Sequence, residues 1–367
     1  MYARIKILCD MNSFSNILLA WYRDNRRALP WREVKDPYLI WVSEIILQQT
    51  RVAQGYDYYA RFVQRFPDVK SLAEADGDEV MRYWQGLGYY SRARNLHEAA
   101  RSLQDGVFPD TYEGVRSMKG VGDYTAAAIC SFAYGMPYAV VDGNVYRVLS
   151  RYFGIDTPID STAGKKTFSA LAQEVLDKKR PGDYNQAIMD FGALVCTPQS
   201  PQCLFCPLAE SCAALASGQV SALPVKQHKT KQTDRYFNYL LVVLGREDTL
   251  IRKRTGDDIW KNLFELPLLE TSKDMSVEEF LASDILADFL QGHAEAVIRP
   301  LARDVKHVLS HRIIHAHFYE VVLPEGTETF AGYQRVRLVD LERYAFPRLL
   351  HAFLEKLLKN GDDSCKM

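Results

Sequence analysis

The chain has no apolar run long enough to cross a bilayer and almost no net charge, −1 over 367 residues. The first absence excludes a transmembrane helix, which needs about 20 consecutive apolar residues. The second excludes a global field that draws the molecule to nucleic acid or membrane, so any DNA binding works through local patches. The opening Met-Tyr-Ala-Arg-Ile-Lys-Ile-Leu-Cys-Asp has too short an apolar core for a signal peptide. Cysteine is sparse over most of the length: of seven, Cys9, Cys130 and Cys365 stand alone and four crowd between Cys196 and Cys212. That distribution excludes a secreted disulfide framework and suits a metal cluster in a reducing, cytoplasmic compartment. Apolar residues are plentiful, 47% against 25% charged. This is the balance of a globular protein with sizeable cores, and the length suits two domains.

From Phe14 to Leu215 apolar residues recur at helical spacing, with caps and Gly or Pro stops between them. Asn12 or Ser13 can cap a first helix running through Tyr22. Leu29-Pro30-Trp31-Arg32 is a loop exposing an aromatic and a cation, and Asp36-Pro37 starts a second helix with Asp as cap and Pro in its first turn. Over Tyr38 to Arg51 that helix has one acid, Glu44, which lies too far from the N-terminus to cap it. Either Glu44 falls on a polar stripe with Gln48 and Arg51, or it faces a dry cleft, where desolvation raises its pKa and makes a general acid. Gly86-Leu-Gly-Tyr-Tyr90 reads as a turn with an aromatic tip, backed by Arg92 and Arg94. Such a tip either wedges into a base stack or packs into a core.

Gly120-Val121-Gly122 precedes a helix from Tyr124 to Phe132. It is either a tight turn between packed helices or a cradle whose outward amides suit a phosphate; without a Lys-Ser/Thr ending it is no nucleotide P-loop. Asp142 opens the next helix, as a plain N-cap or also as a carboxylate kept ionised to stabilise a cationic transition state. A capped helix follows over Thr157 to Lys179, then a break at Pro181-Gly-Asp-Tyr184 and a helix from Asn185 to Val195. Cys196, Cys203, Cys206 and Cys212, with six, two and five intervening residues, can close around one centre. Zinc and iron–sulfur both fit by softness, and a redox pair or unbound thiols stay open. Ser217 to Gln232 is a polar, basic linker. Beyond it the period changes: Tyr236–Leu244, Leu250–Arg254 and Ala316–Leu323 read as strands, Val277–Leu290 and Phe346–Lys359 as helices, giving an α+β second domain. Val305 to His311 ends a further possible strand at a polar loop.

The Gly-Val-Gly hairpin and the Asp142-Gly-Asn144-Val helix start resemble the helix-hairpin-helix DNA glycosylase superfamily. With Leu29-Pro-Trp-Arg, Ser43-Glu-Ile-Ile-Leu-Gln-Gln-Thr-Arg, Gly86-Leu-Gly-Tyr-Tyr-Ser-Arg-Ala-Arg-Asn-Leu and the cysteine spacing, the whole chain resembles the adenine DNA glycosylases of the MutY family. The resemblance implies a mainly α catalytic domain over residues 12–216, with a [4Fe–4S] cluster on the 196–212 loop, a linker over 217–234, and a Nudix-like α+β domain over 235–360. It also implies a monomer acting on duplex DNA that carries adenine opposite 8-oxoguanine or guanine, with no membrane contact.

By the same resemblance Glu44 protonates adenine at N7, Asp142 stabilises the oxocarbenium ion, and Asn144 and Tyr124 sit beside the reacting sugar. Water is then delivered with retention. Tyr124 occupies the position where bifunctional relatives carry a Schiff-base lysine, so the enzyme is expected to be monofunctional. Trp31 and Arg32 are assigned to the adenine pocket, Gln49, Thr50, Arg51 and Tyr89 to the DNA beside 8-oxoguanine, and Gly120, Val121 and Gly122 to backbone phosphate. Leu309, Ser310 and His311 replace a Phe-Ser-His loop that contacts 8-oxoguanine. Lys119 stands where the family usually has Pro. No Gly-x5-Glu-x7-Arg-Glu box is found in the second domain, which is expected to read the base without hydrolysing anything.

Overall fold

The computed structural model describes residues 2–364 apart from 104–105, 229–230, 246, 292, 294, 325 and 328–329, with side chains described from 13 to 358. Cys365 and the side chain of Cys9 lie outside the described residues. The chain packs into two compact units, Met1–Glu74 with Asn95–Lys229, and Ala75–Arg94 with Thr230–Met367.

Helices α1 (Tyr2–Asn25), α2 (Pro37–Leu47), α3 (Val52–Arg65) and α4 (Val69–Glu74) come first, and α5 (Gly77–Trp84) lies in the stretch that groups with the second unit. Then follow α6 (Ser91–Ser102), α7 (Tyr112–Ser117), α8 (Asp123–Ala133), α9 (Gly143–Phe153), α10 (Thr162–Val175), α11 (Pro181–Leu194) and α12 (Ala213–Ala216). The cap expected of Asp36 is present: its carboxylate accepts from the Tyr38 and Leu39 amides, and Pro37 occupies the first turn. Several helix limits differ from expectation, and the helix expected over Thr157–Lys179 is shorter, Thr162–Val175. Helix α1 begins at Tyr2, so Asn12 and Ser13 lie within it, a placement that costs only a few tenths of a kcal/mol per residue. Helix α2 stops at Leu47, because Gln49 takes the left-handed conformation at φ 56. Pro181 begins α11, since a proline in the first turn has no amide to lose. In the core of this unit α2 packs on α8, and α11 packs on α1, α8 and α9. Trp41, Ile46, Ile129, Ile188 and Phe191 are buried there.

The second unit is built on a mixed sheet of β1 (Thr233–Leu244), β2 (Asp248–Lys253), β3 (Phe264–Glu265), β4 (Leu268–Thr271), β5 (Val297–Val308), β6 (Arg312–Leu323) and β7 (Gln334–Arg337). The order is β3-β2-β1-β6-β5, with β4 on β1 and β7 on β2. Strands β1 and β6 run parallel from Thr233 opposite Arg312 to Leu244 opposite Leu323, and the other pairs are antiparallel. Helices α13 (Val277–Leu281), α14 (Asp284–Leu290) and α15 (Arg348–Ser364) complete the unit. The single helix expected over 277–290 is two, split where the Ser283 hydroxyl turns back to the Phe280 carbonyl at 2.6 Å. Leu309-Ser310-His311 is the connection between β5 and β6, closed by the Leu309 amide donating to the Arg312 carbonyl at 2.8 Å. No helix among the described residues is long and apolar enough to cross a membrane.

Candidate active site

Glu44 lies within α2 between core residues Val42, Ile45 and Ile46 and is 8% exposed. Of the two alternatives open in the sequence, the dry one holds. Burial pushes its carboxyl up to about 7; the Tyr124 hydroxyl and Arg32 oppose that shift, and Asp142 adds to it. Tyr124, in the first turn of α8, donates to Glu44 Oε2 at 2.8 Å and also approaches Met189 Sδ at 3.4 Å. Burial first, and then the charges of Glu44 and Asp142, hold the Tyr124 hydroxyl well above its ordinary pKa, so it stays a donor.

Asp142 is the N-cap of α9: it accepts from the Val145 amide at 2.8 Å and from Asn144 Nδ2 at 2.8 Å. The helix start is not the only influence on its charge. Burial raises Asp142 above the ordinary range, and the Val145 amide, Asn144 and Arg147 pull the other way. Asn144 is held in turn by Arg147, whose Nη2 donates to Asn144 Oδ1 at 2.8 Å and to the Gly192 carbonyl at 2.6 Å. A Cβ on Gly192 would lie 2.7 Å from that of Asn144, so glycine is what lets α11 pass so close to α9.

Contrary to the expectation of an exposed aromatic, Trp31 is buried, with its ring edge-on to Tyr59 at 5.2 Å. The guanidinium of Arg32 is spoken for: it forms a fork to the fully buried Asp190 at 2.5 and 2.7 Å and donates to Tyr22 Oη at 3.0 Å. Arg27 completes the pairing of Asp190. Arg32 therefore acts on Glu44 through its field, not as an open donor. Gln49 is exposed in its left-handed turn, Thr50 donates its amide to the Leu47 carbonyl at 3.2 Å, and Arg51 precedes α3 with an exposed side chain.

At the hairpin, Gly120 has φ 79, and a Cβ there would lie 2.7 Å from Asn95 Cβ, so both conformation and space require glycine. Val121 departs from its assigned role. It is buried, its amide donates to the Met118 carbonyl at 3.1 Å, and its carbonyl accepts from Arg116 at 2.9 Å. Gly122 is the N-cap of α8, whose first-turn amides have no acceptor within the helix and can serve an anion.

The four cysteines form no disulfide and line one cavity together with Arg151. Arg151 bonds the carbonyls of Thr197 at 2.8 Å and Leu223 at 3.0 Å and reaches Cys196 Sγ at 3.5 Å, while Arg147 Nε bonds the Cys196 carbonyl at 2.6 Å. Among the described residues only Asp274, Asp304 and His317 bring three ligand atoms within 4.8 Å of one another. Four soft thiol donors lining one cavity fit a zinc ion or an iron–sulfur centre alike.

In the second unit Tyr89 stands at φ 45, 46% exposed, and its hydroxyl shares a 2.7 Å hydrogen bond with Ser310 Oγ. Ser310 and His311 are exposed and Leu309 half-buried; Gln232 Nε2 donates to the Leu309 carbonyl at 2.9 Å. Asp190, Met189, Arg147 and Arg151 were not singled out from the sequence. Only the spacing of Arg147 and Arg151, one helical turn apart behind Asp142, offered a signal.

A family model described as "HhH-GPD superfamily base excision DNA repair protein" matches residues 42–174, and one described as "NUDIX domain" matches 238–356. The chain is 30% identical over 361 residues to an "Adenine DNA glycosylase" of Buchnera aphidicola subsp. Acyrthosiphon pisum, covering 95% of this chain and 98% of that one. It is 45% identical over 232 residues to an "Adenine DNA glycosylase" of Mus musculus, covering 59% of this chain and 45% of that one. A solved "thermostable thymine-DNA glycosylase" superposes with a TM-score of 0.53 at 29% identity, over 56% of this chain and 97% of that one.

Proposed function

The chain belongs to the adenine DNA glycosylase family, N-glycosylases of base excision repair, and on that premise we propose that it hydrolyses adenine from pairs with 8-oxoguanine or guanine, leaving an abasic site without cutting the strand. The observation that carries this reading is the buried Glu44 with its carboxyl lifted to about 7, under the hydroxyl of Tyr124 and within the field of Asp142. Adenine leaves readily only once a ring nitrogen is protonated, and the deoxyribose left behind develops cationic charge. Glu44, protonated by its burial, donates to adenine N7. Asp142, fixed by the Val145 amide and Asn144, supplies the opposed negative charge. Each contributes on the order of 10²–10⁴-fold. Tyr124 has no amine, so no Schiff base forms at that position, and its hydroxyl orients the acid.

Flipping the adenine out of the duplex costs a few kcal/mol. Trp31 shapes the adenine pocket, with Arg32 acting from behind it. Gln49, Thr50, Arg51 and Tyr89 contact the DNA at the base opposite adenine, which Ser310 and His311 read with Leu309 beside them; Gly120 and Gly122 hold a backbone phosphate. Cys196, Cys203, Cys206 and Cys212 would hold a [4Fe–4S] cluster, which when bound cross-links its loop through four thiolate bonds. The protein works as a cytoplasmic monomer, with domains over 12–216 and 235–360 joined by 217–234. The Glu44→Gln variant tests the reading: adenine release in a single turnover falls by 10²-fold or more while affinity for the mispaired duplex stays within a few fold. Undiminished release would overturn the role given to Glu44.

A further inference from the structure

Next to Tyr89 and Ser310, and wholly within the second unit, lies a pocket of about 650 Å³ whose walls include Arg94, Trp260, His307 and Arg348. Its acids are already matched. Asp258 takes a fork from Arg235 at 2.9 Å and a further bond from Arg254 at 3.0 Å, and Asp257 pairs with Lys261 at 3.4 Å. Its cations are not. Arg94 spends one N–H on the Lys261 carbonyl at 2.7 Å, and neither Arg94 nor Arg348 has a carboxylate partner among the described residues. Partial burial pulls Arg94 down, and the nearby charge of Asp257 offsets only part of that shift. Arg348 opens the long helix α15, an end where a cation is disfavoured by the partial positive charge of the helix amides. His307, lowered by burial and by Arg348, supplies no compensating charge, and its ring lies 5.9 Å from that of Trp260. Two guanidiniums in the wall of one aromatic-lined pocket, neither bonded to a carboxylate among the described residues, are a place for an anion.

We propose that this pocket seats a backbone phosphate of the DNA strand carrying the base opposite adenine, with Arg348 and Arg94 as its cationic partners. The assignment of that strand rests on the reading of Tyr89 and Ser310 above, since the pocket is continuous with both residues. A phosphodiester brings one negative charge per nucleotide, and Trp260 and His307 form part of the wall beside it. A contact of this kind positions the duplex and carries no information about the base. Arg348 and Arg94 therefore contribute affinity and register, and leave the choice between 8-oxoguanine and guanine to Ser310.

The experiment measures binding of the full chain to adenine:8-oxoguanine and adenine:guanine duplexes across salt concentrations, with Glu44→Gln as background so that the substrate stays whole. Adding Arg348→Gln, at an exposed position, lowers the slope of log affinity against log salt by about 0.9. It weakens both duplexes by the same factor, about tenfold at low salt. Ser310→Ala instead changes the ratio between the two duplexes and leaves the slope alone. As a second arm, uncharged methylphosphonates are placed one at a time along the 8-oxoguanine strand and, in a separate series, along the adenine strand. One position then weakens the parent protein and not its Arg348→Gln form, which separates a DNA phosphate from a free anion. An unchanged slope, a loss confined to the 8-oxoguanine duplex, or sensitivity only to methylphosphonates in the adenine strand would overturn the phosphate seat. A lowered slope together with an inert Ser310→Ala would keep the seat and overturn the reading of Ser310.

Discussion

Replacing Tyr124 by phenylalanine removes one hydroxyl from the site and leaves the buried ring in place. That hydroxyl donates to Glu44 Oε2 at 2.8 Å, and it is the strongest of the influences holding the carboxyl down against burial, which lifts it to about 7. A hydrogen bond to an ionised group contributes about 1.5–3 kcal/mol, and about 1.4 kcal/mol corresponds to one pH unit. The midpoint of Glu44 in Tyr124→Phe therefore rises by about one pH unit or more. Glu44 acts in its protonated form, so activity falls as pH rises through that midpoint. The assay is single-turnover adenine release from a duplex mispair, followed from pH of roughly 5 to 9. The alkaline limb lies near pH 7 for the parent and moves upward in the variant, even where the plateau rate is lower because a contact near the sugar is gone. An alkaline limb that stays in place, or moves to lower pH, refutes the coupling of the two side chains.

The same carboxyl makes a stability prediction. Its folded pKa lies above its ordinary value of 4.5, so the native state binds more protons than the unfolded chain between 4.5 and about 7, and stability falls as pH rises across that window. Denaturant unfolding should therefore find Glu44→Gln more stable than the parent at pH 8, by roughly 3 kcal/mol at most, with the difference vanishing near pH 4. Gly120→Ala forces a left-handed alanine against Asn95. Thermal unfolding should show a loss of about 1–3 kcal/mol, accompanied by weaker duplex binding.

Where the physics is local, the residues announced their structure. Asp36-Pro37, Asp142 before Gly-Asn-Val, and glycines at Gly86, Gly88 and Gly120 obey rules of capping and backbone conformation that need no tertiary context. Limits set by packing were less legible: a proline can end a helix or begin one, and only the neighbours of Pro181 decide that it begins α11. Strands β3, β4 and β7 are too short to display an alternating period. At the site, whether Glu44 faced a stripe or a cleft depended on Tyr124, eighty positions away in the chain. The engagement of Arg32 by Asp190 was equally hidden, because it joins a loop before α2 to the interior of α11. The grouping of Ala75–Arg94 with the second unit, against an expected boundary after 216, is likewise a property of the folded chain.

The most direct test of the central claim is base release under single-turnover conditions from duplexes with adenine opposite 8-oxoguanine, guanine and thymine, each analysed with and without a later alkali step. The account predicts release from the first two, with strand breakage only after alkali. Breakage without alkali would mean that a lysine forms a Schiff base with the sugar, and release from the thymine pair as fast as from the other two would contradict a mismatch enzyme.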